Sequence, residues 1–386
     1  MRFSPLLLLL FGCGTPPYPA TLTYPPRSDL LVLQLPTTPP AGPPPAGKLD
    51  EWINSLRAQG GTTLNPAEVP AEAAARLQAI LLERFGTPAE PRLNATGAGA
   101  VIVAELSLQP DVLAAGSVLY RKHCLQCHGL TGDGRGPTGQ WVQPAPRDFR
   151  QGIYKFVSSA GTGSRKPSRE DMHRSLVLGV ERTSMPAFAM LGPEDRNRLI
   201  SYTIHLSLRG EVEFRMLKEL LSADGDIDDD WNAEADRILL RSLHDWQSAE
   251  RDTIEPSTHP TPETLEGRIT PEHLESVRRG HELFRGEAIN CIGCHADYGR
   301  QPRWLYDAWG GSVRASDLSE GVFRGGKQPI EVFQRIRGGV GPSGMPGAAT
   351  LSDEQVWDLV HFMLALPVPS MLPADVRADV YPNRAR

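Results

Sequence analysis

Two copies of one pentapeptide constrain this chain more than anything else in it: Cys124-Leu125-Gln126-Cys127-His128 and Cys291-Ile292-Gly293-Cys294-His295. Between them they use four of its five cysteines. C-x-x-C-H is the spacing of covalent c-type haem attachment. The two thiols add across the porphyrin vinyl groups, and the adjacent histidine is left to bind iron from one face. Two rival readings are weaker. Paired C-x-x-C motifs can make a four-cysteine zinc site, but ribbon pairs lie closer together, and zinc has no use for a histidine at the same offset in both. A thioredoxin-like redox pair belongs in a βαβ pattern, and neither motif sits in one. The motifs predict two covalently bound haem c groups.

Each iron then needs a sixth ligand, or an open face for catalysis. Thr183-Ser184-Met185-Pro186 follows the first motif and Ser343-Gly344-Met345-Pro346 the second. A thioether favours ferrous iron, and proline pushes the residue before it into an extended conformation, so each methionine projects from a loop. Methionine is more often a core filler, the role expected of Met190 and Met216. The Met-Pro pairs differ because they recur at matching places in a repeat. Gly116 and Tyr120 precede the first motif as Gly280 and Phe284 precede the second, glycine and aromatic sharing a helix face where a second helix can cross closely. Gly152-Ile153-Tyr154-Lys155 corresponds to Gly321-Val322-Phe323-Arg324. Helices are expected from near Ser168 and near Pro329, and each copy closes with a helix, over 193–208 and over 352–365, the latter opened by a Ser352/Gln355 capping box.

On these residues the chain resembles a tandem of class I cytochrome c domains of the kind found in cbb3-type oxidase subunits and other membrane-tethered respiratory cytochromes. The resemblance covers about 109–208 and 270–367. It implies His128 and His295 as proximal ligands and Met185 and Met345 as distal ones. It also implies a proline carbonyl holding the proximal histidine: Pro137 in the first copy, from a Gly129–Pro137 loop that the second copy lacks, with Pro302 the substitute there. Arg147 and Trp141, and in the second copy Trp304, Trp309 and Arg314, are candidates for contacting haem propionates.

The start of the chain reads as a targeting segment, with Arg2, a short apolar run from Leu6 to Phe11, and Leu10-Phe11-Gly12-Cys13 resembling a bacterial lipobox. Cys13 is the cysteine left over once four are bound to haem, so it is the expected lipidation site. Residues 14–48 carry 11 prolines and read as a semi-rigid spacer, except that Leu30-Leu31-Val32-Leu33 is apolar enough to pack on a surface. Short helices are expected over 49–59 and 70–85, and two more over 210–250, broken at Asp224–Asp230. That acidic run has Asp229 and Ala235 at the sixth and twelfth positions, where a calcium loop wants glycine and glutamate, and reads as a solvated turn. A net charge of −6 argues against nucleic acid.

The expected fold is mainly α, two tandem class I cytochrome c domains joined by a helical connector, with an N-terminal Pro-rich and helical extension. The expected division is signal peptide 1–12, Pro-rich tether 13–48, helical extension 49–108, first cytochrome domain 109–208, connector 209–269, second domain 270–368 and tail 369–386. The expected activity is electron transfer between redox partner proteins of a bacterial respiratory chain, on the periplasmic side of a membrane and lipid-anchored, with a soluble periplasmic form as the alternative. The rivals are a dihaem enzyme resembling cytochrome c peroxidase, against which the equal Met-Pro provision counts, and a haem-bearing subunit of a larger complex.

Overall fold

Helix starts follow local chemistry. A computed structural model describes residues 18–160, 165–222, 230–258 and 269–382. In chain order its helices are α1 (Leu49–Ser55), α2 (Ala71–Phe85), α3 (Ala98–Glu105), α4 (Pro110–His123), α5 (Leu125–His128), α6 (Arg169–Leu178), α7 (Pro193–Ser222), α8 (Trp231–Arg251), α9 (Pro271–Arg285), α10 (Cys291–Cys294), α11 (Pro329–Gly338), α12 (Asp353–Ala365) and α13 (Ala374–Val380). Proline occupies the first turn of α4, α9 and α11, where its missing N–H costs nothing. Capping boxes close the N-termini of α6 (Ser168/Asp171), α11 (Gln328/Glu331) and α12 (Ser352/Gln355). Two small antiparallel sheets complete the fold, β1 (Leu31–Gln34) with β2 (Thr62–Leu64) and β3 (Trp304–Tyr306) with β4 (Ser312–Arg314). The fold is mainly α.

Each haem-motif segment is built on one close helix crossing. A Cβ at Gly116 of α4 would lie 2.3 Å from the Arg198 carbonyl oxygen of α7, and one at Gly280 of α9 would lie 2.0 Å from the Asp358 carbonyl oxygen of α12. The aromatic one turn on, Tyr120 or Phe284, is buried in the same core as its crossing helix.

The helix that closes the first copy is longer than the expected 193–208. α7 continues through residue 208 to Ser222. Gly210 lies within it and lets the Arg150 backbone approach, its absent Cβ lying 2.3 Å from the Arg150 Cα. The far half of α7 packs with α2, α3 and α8 in one core containing Leu81, Phe85, Ile204, Met216, Leu243 and Trp246. The extension and connector helices therefore form a single scaffold behind the first motif. A fully buried ion pair, Lys166 Nζ to Glu211 Oε2 at 2.8 Å, ties the loop before α6 to α7. Ser242 of α8 donates to the same carboxylate. Removing one partner of such a pair costs about 3–5 kcal/mol.

The proline-rich stretch is not a free spacer over its described part. Tyr18, Tyr24, Leu31 and Arg27 are buried; the Tyr24 and Tyr202 hydroxyls are 2.8 Å apart; and Asp29 takes two hydrogen bonds from Arg150. Apolar and charged groups every few residues give this strand of chain more to gain on the surface than in water. Met216 is a core filler, but Met190 is 91% exposed in the turn before α7, where no neighbouring element covers it. Cys13 with its lipobox and Asp224–Asp229 lie outside the described residues, and Asp230 caps α8 by accepting from the Ala233 N–H. Among the described residues no single helix is long and apolar enough to cross a membrane.

Candidate haem sites

The C-x-x-C-H segments wind as the short helices α5 and α10. In each, the histidine Nδ1–H donates to a backbone carbonyl: His128 to Arg147 at 3.0 Å and His295 to Ser316 at 3.0 Å. A carbonyl can only accept, so these bonds fix the tautomer and leave Nε2 as the lone-pair nitrogen, the arrangement a metal-binding imidazole requires. Burial pushes the His128 pKa down to about 4 and that of His295 down as well, each opposed by its carbonyl partner. Both rings are thus neutral at ordinary pH. Phe149 stacks on His128 with centroids 4.6 Å apart.

The expected carbonyls, Pro137 and Pro302, are not the ones used. The glycine loop of the first copy is occupied with closing α5, where Gly134 N–H donates to His128 O, Gly136 to Cys127 O and Thr138 to Gln126 O. In the second copy the segment at Pro302 closes α10 similarly, with Arg303 N–H donating to Cys294 O. The turn there is made by Asp297 and Tyr298, both at positive φ, and held by Tyr298 Oη donating to Asp379 of α13. The carbonyls that serve instead sit at one repeated turn. Arg147-Asp148-Phe149 matches Ser316-Asp317-Leu318, and Asp148 and Asp317 each accept from the backbone N–H two residues on, at 2.9 Å in both. That Asx turn aims the preceding carbonyl at the imidazole. A shared aspartate followed by a buried apolar residue was the signal available in the sequence.

The methionine loops also match. Val180 N–H donates to Met185 O at 3.1 Å and Val340 N–H to Met345 O at 2.9 Å. Gly179 and Gly339 stand before them at φ 68 and 70, and Phe188 or Ala348 returns a hydrogen bond to Leu176 or Ile336. Each loop is pinned at both ends with its methionine half-buried. In the first copy Cys124, Cys127, His128 and Met185 line one cavity of about 330 Å³, so a thiol pair, a neutral imidazole and a thioether surround the same space. Burial pushes the Cys124 thiol up to about 12 and Cys291 to about 11, so neither is a reactive thiolate at ordinary pH. Among the described residues no three His, Cys, Asp or Glu side chains converge on a metal-ion site, so the two C-x-x-C pairs do not form a four-cysteine zinc site.

Other candidates move. Arg147 lines the first cavity, but Trp141 is 68% exposed outside it, and Trp304 and Arg314 face each other at 5.9 Å. Trp309, expected at the second haem, lines the first cavity instead. The β3–β4 hairpin carries it across, because Gly310 at φ 80 seats against Ile53 and Leu56 and its carbonyl accepts from Trp52 Nε1.

Residues 111–202 and 275–363 match the family model described as "Cytochrome C oxidase, cbb3-type, subunit III". A solved chain of the "Kuenenia stuttgartiensis reducing HAO-like protein complex Kustc0457/Kustc0458" is similar at 23% identity, covering 67% of this chain and 96% of that one at a TM-score of 0.46, too distant to carry an argument. No curated protein matches the chain. The matched segments are those built around the two motifs, and residues 111–202 and 275–363 are accordingly cytochrome c domains of the cbb3-type subunit III family, in a haem electron-transfer protein of the covalent c type.

Proposed function

We propose that the chain is a dihaem electron carrier of a bacterial respiratory chain, without enzymatic turnover of its own, working between redox partner proteins at the periplasmic face of a membrane. The observation that carries this reading is the equal provision in the two domains: a carbonyl-oriented histidine and a doubly pinned Met-Pro loop in each. Cys124 and Cys127 would hold one haem and Cys291 and Cys294 the other; His128 with Met185, and His295 with Met345, would be the axial pairs. Bound haem supplies the one-electron ferric/ferrous couple, which histidine–methionine ligation sets at high potential. The protein's part is to keep the imidazoles neutral and oriented and to hold each thioether in place. A peroxidase-like enzyme would need one face left free, and both domains carry the same loop. The test is ligand access in the native holoprotein. The reduced protein should bind no carbon monoxide and turn over no peroxide; stoichiometric binding or rapid turnover would transfer the assignment to the enzyme.

The membrane attachment rests on Cys13. It stands at the end of a lipobox-like tetrapeptide and is the one cysteine the haem motifs do not use. Two or three acyl chains there hold a protein firmly, where one is marginal. Cys13→Ser should release a haem-loaded cytochrome with an unchanged spectrum, whereas native protein fractionating as soluble would refute the anchor.

A further inference from the structure

Part of the first haem cavity is walled by the second domain. Asp307, Trp309, Gly311, Ser312, Val313 and Arg324 line it opposite the motif residues. Three buried polar atoms on that wall have no hydrogen-bond partner among the described residues: Trp309 Nε1, Ser312 Oγ and Arg324 Nε. Buried polar atoms are seldom left without a partner, so three in one wall point to an absent acceptor. An indole and a guanidinium can only donate, and a hydroxyl can donate, so what this wall lacks is an acceptor, and beside a guanidinium the acceptor most strongly held is an anion. The surrounding charge agrees. Arg147 lies on the Trp309 ring with its guanidinium carbon 3.6 Å from the centroid. Lys155 stands 3.3 Å from Asp307, the one acidic group on this wall. Burial, Arg314 and Arg182 push the Arg324 pKa down, as expected of a cation whose counter-charge is missing.

We propose that Trp309, Ser312 and Arg324 of the second domain form the propionate site of the haem held by Cys124 and Cys127, so that one domain completes the other's cofactor site. This rests on the first motif carrying haem. The second domain would then tune the first haem, since these donors would neutralise the propionates and favour the ferrous state.

The test compares the native holoprotein with Arg324→Gln and Trp309→Phe, each checked by intact mass for two haems. Redox titrations over a range of pH follow the two haems separately, the first identified by its loss of the native signal in a Met185→His variant. The expected result is a lower midpoint for the first haem alone. The pH at which that midpoint begins to fall should move upward, because a propionate without its donors holds its proton longer. Ser312→Ala, which leaves the cation and the indole, should give a smaller shift in the same direction. If neither midpoint moves, or both move together, the proposal fails while the haem assignment stands. It also fails if inorganic phosphate shifts the native first midpoint saturably, since the anion would then be exogenous. A mass showing no haem on the first motif would instead overturn the reading beneath it.

Discussion

The Arg147 guanidinium lies over the Trp309 ring, and the two residues belong to different cytochrome domains. The residue whose carbonyl orients His128 therefore uses its side chain to hold the second domain. Around this pair, Lys155 meets Asp307 at 3.3 Å, Arg174 meets Glu331 at 3.3 Å, and Arg165 donates to the Gly338 carbonyl at 2.5 Å. Gly338 lies at the end of α11, just before the Met345 loop. These contacts set the domains against each other, and with them the separation of the two haem motifs, more firmly than a linker could.

The methionine loops predict a graded loss of coordination. Met185→Ala and Met345→Ala should each leave one iron without its sixth ligand, lower the potential of that haem and let one equivalent of carbon monoxide bind on reduction. Optical titration with carbon monoxide measures this directly. One equivalent per single variant and two in the double variant is the expected count.

The helix crossings predict a second outcome. Gly116→Ala and Gly280→Ala place a methyl 2.3 and 2.0 Å from backbone carbonyl oxygens, which cannot yield as a flexible side chain would. Each substitution should destabilise its domain by about 1–3 kcal/mol or more, as overpacking does. Gly192→Ala, where nothing lies within 4 Å, should be nearly neutral. Chemical denaturation midpoints of the three variants decide it.

Acidification should destabilise the protein through two buried histidines remote from the motifs. His205 Nε2–H donates to the Phe85 and Arg92 carbonyls, and burial holds its pKa down to about 4. His361 bonds Ser276, and burial and neighbouring His273 hold it down to about 4. Both folded values lie below the ordinary histidine value of about 6.5, so the unfolded chain takes up protons that the folded chain refuses. Their contribution is complete above about pH 6.5 and is lost as the pH falls toward 4, at about 1.4 kcal/mol per pH unit for each. Urea midpoints measured between pH 7 and 4.5 should fall accordingly, and His205→Gln should flatten the slope by about half of this part.

Much of the candidate haem sites is legible in the sequence, because the covalent attachment and axial ligation proposed for them demand fixed residue types. The C-x-x-C-H motifs, the Met-Pro loops, the glycine–aromatic pairs and the Ser352/Gln355 box each state a local requirement that one stretch of chain satisfies by itself. What escaped was carried by backbone or by distant packing. The Arg147 and Ser316 carbonyls are chemically anonymous, and only the repeated aspartate after each one marks the turn. Trp309 was assigned to the nearer haem because chain proximity cannot show that its hairpin seats on α1. The continuation of α7 past residue 208 depends on the distant Arg150 backbone, which packs against Gly210.

The central claim is that both motifs carry covalent haem, and the intact mass of protein matured in a haem-attaching host tests it most directly. The account predicts the polypeptide mass plus two haems, falling by one haem when either Cys124 and Cys127 or Cys291 and Cys294 are replaced by alanine. A single haem in the native protein, or bound zinc in place of either, would contradict it.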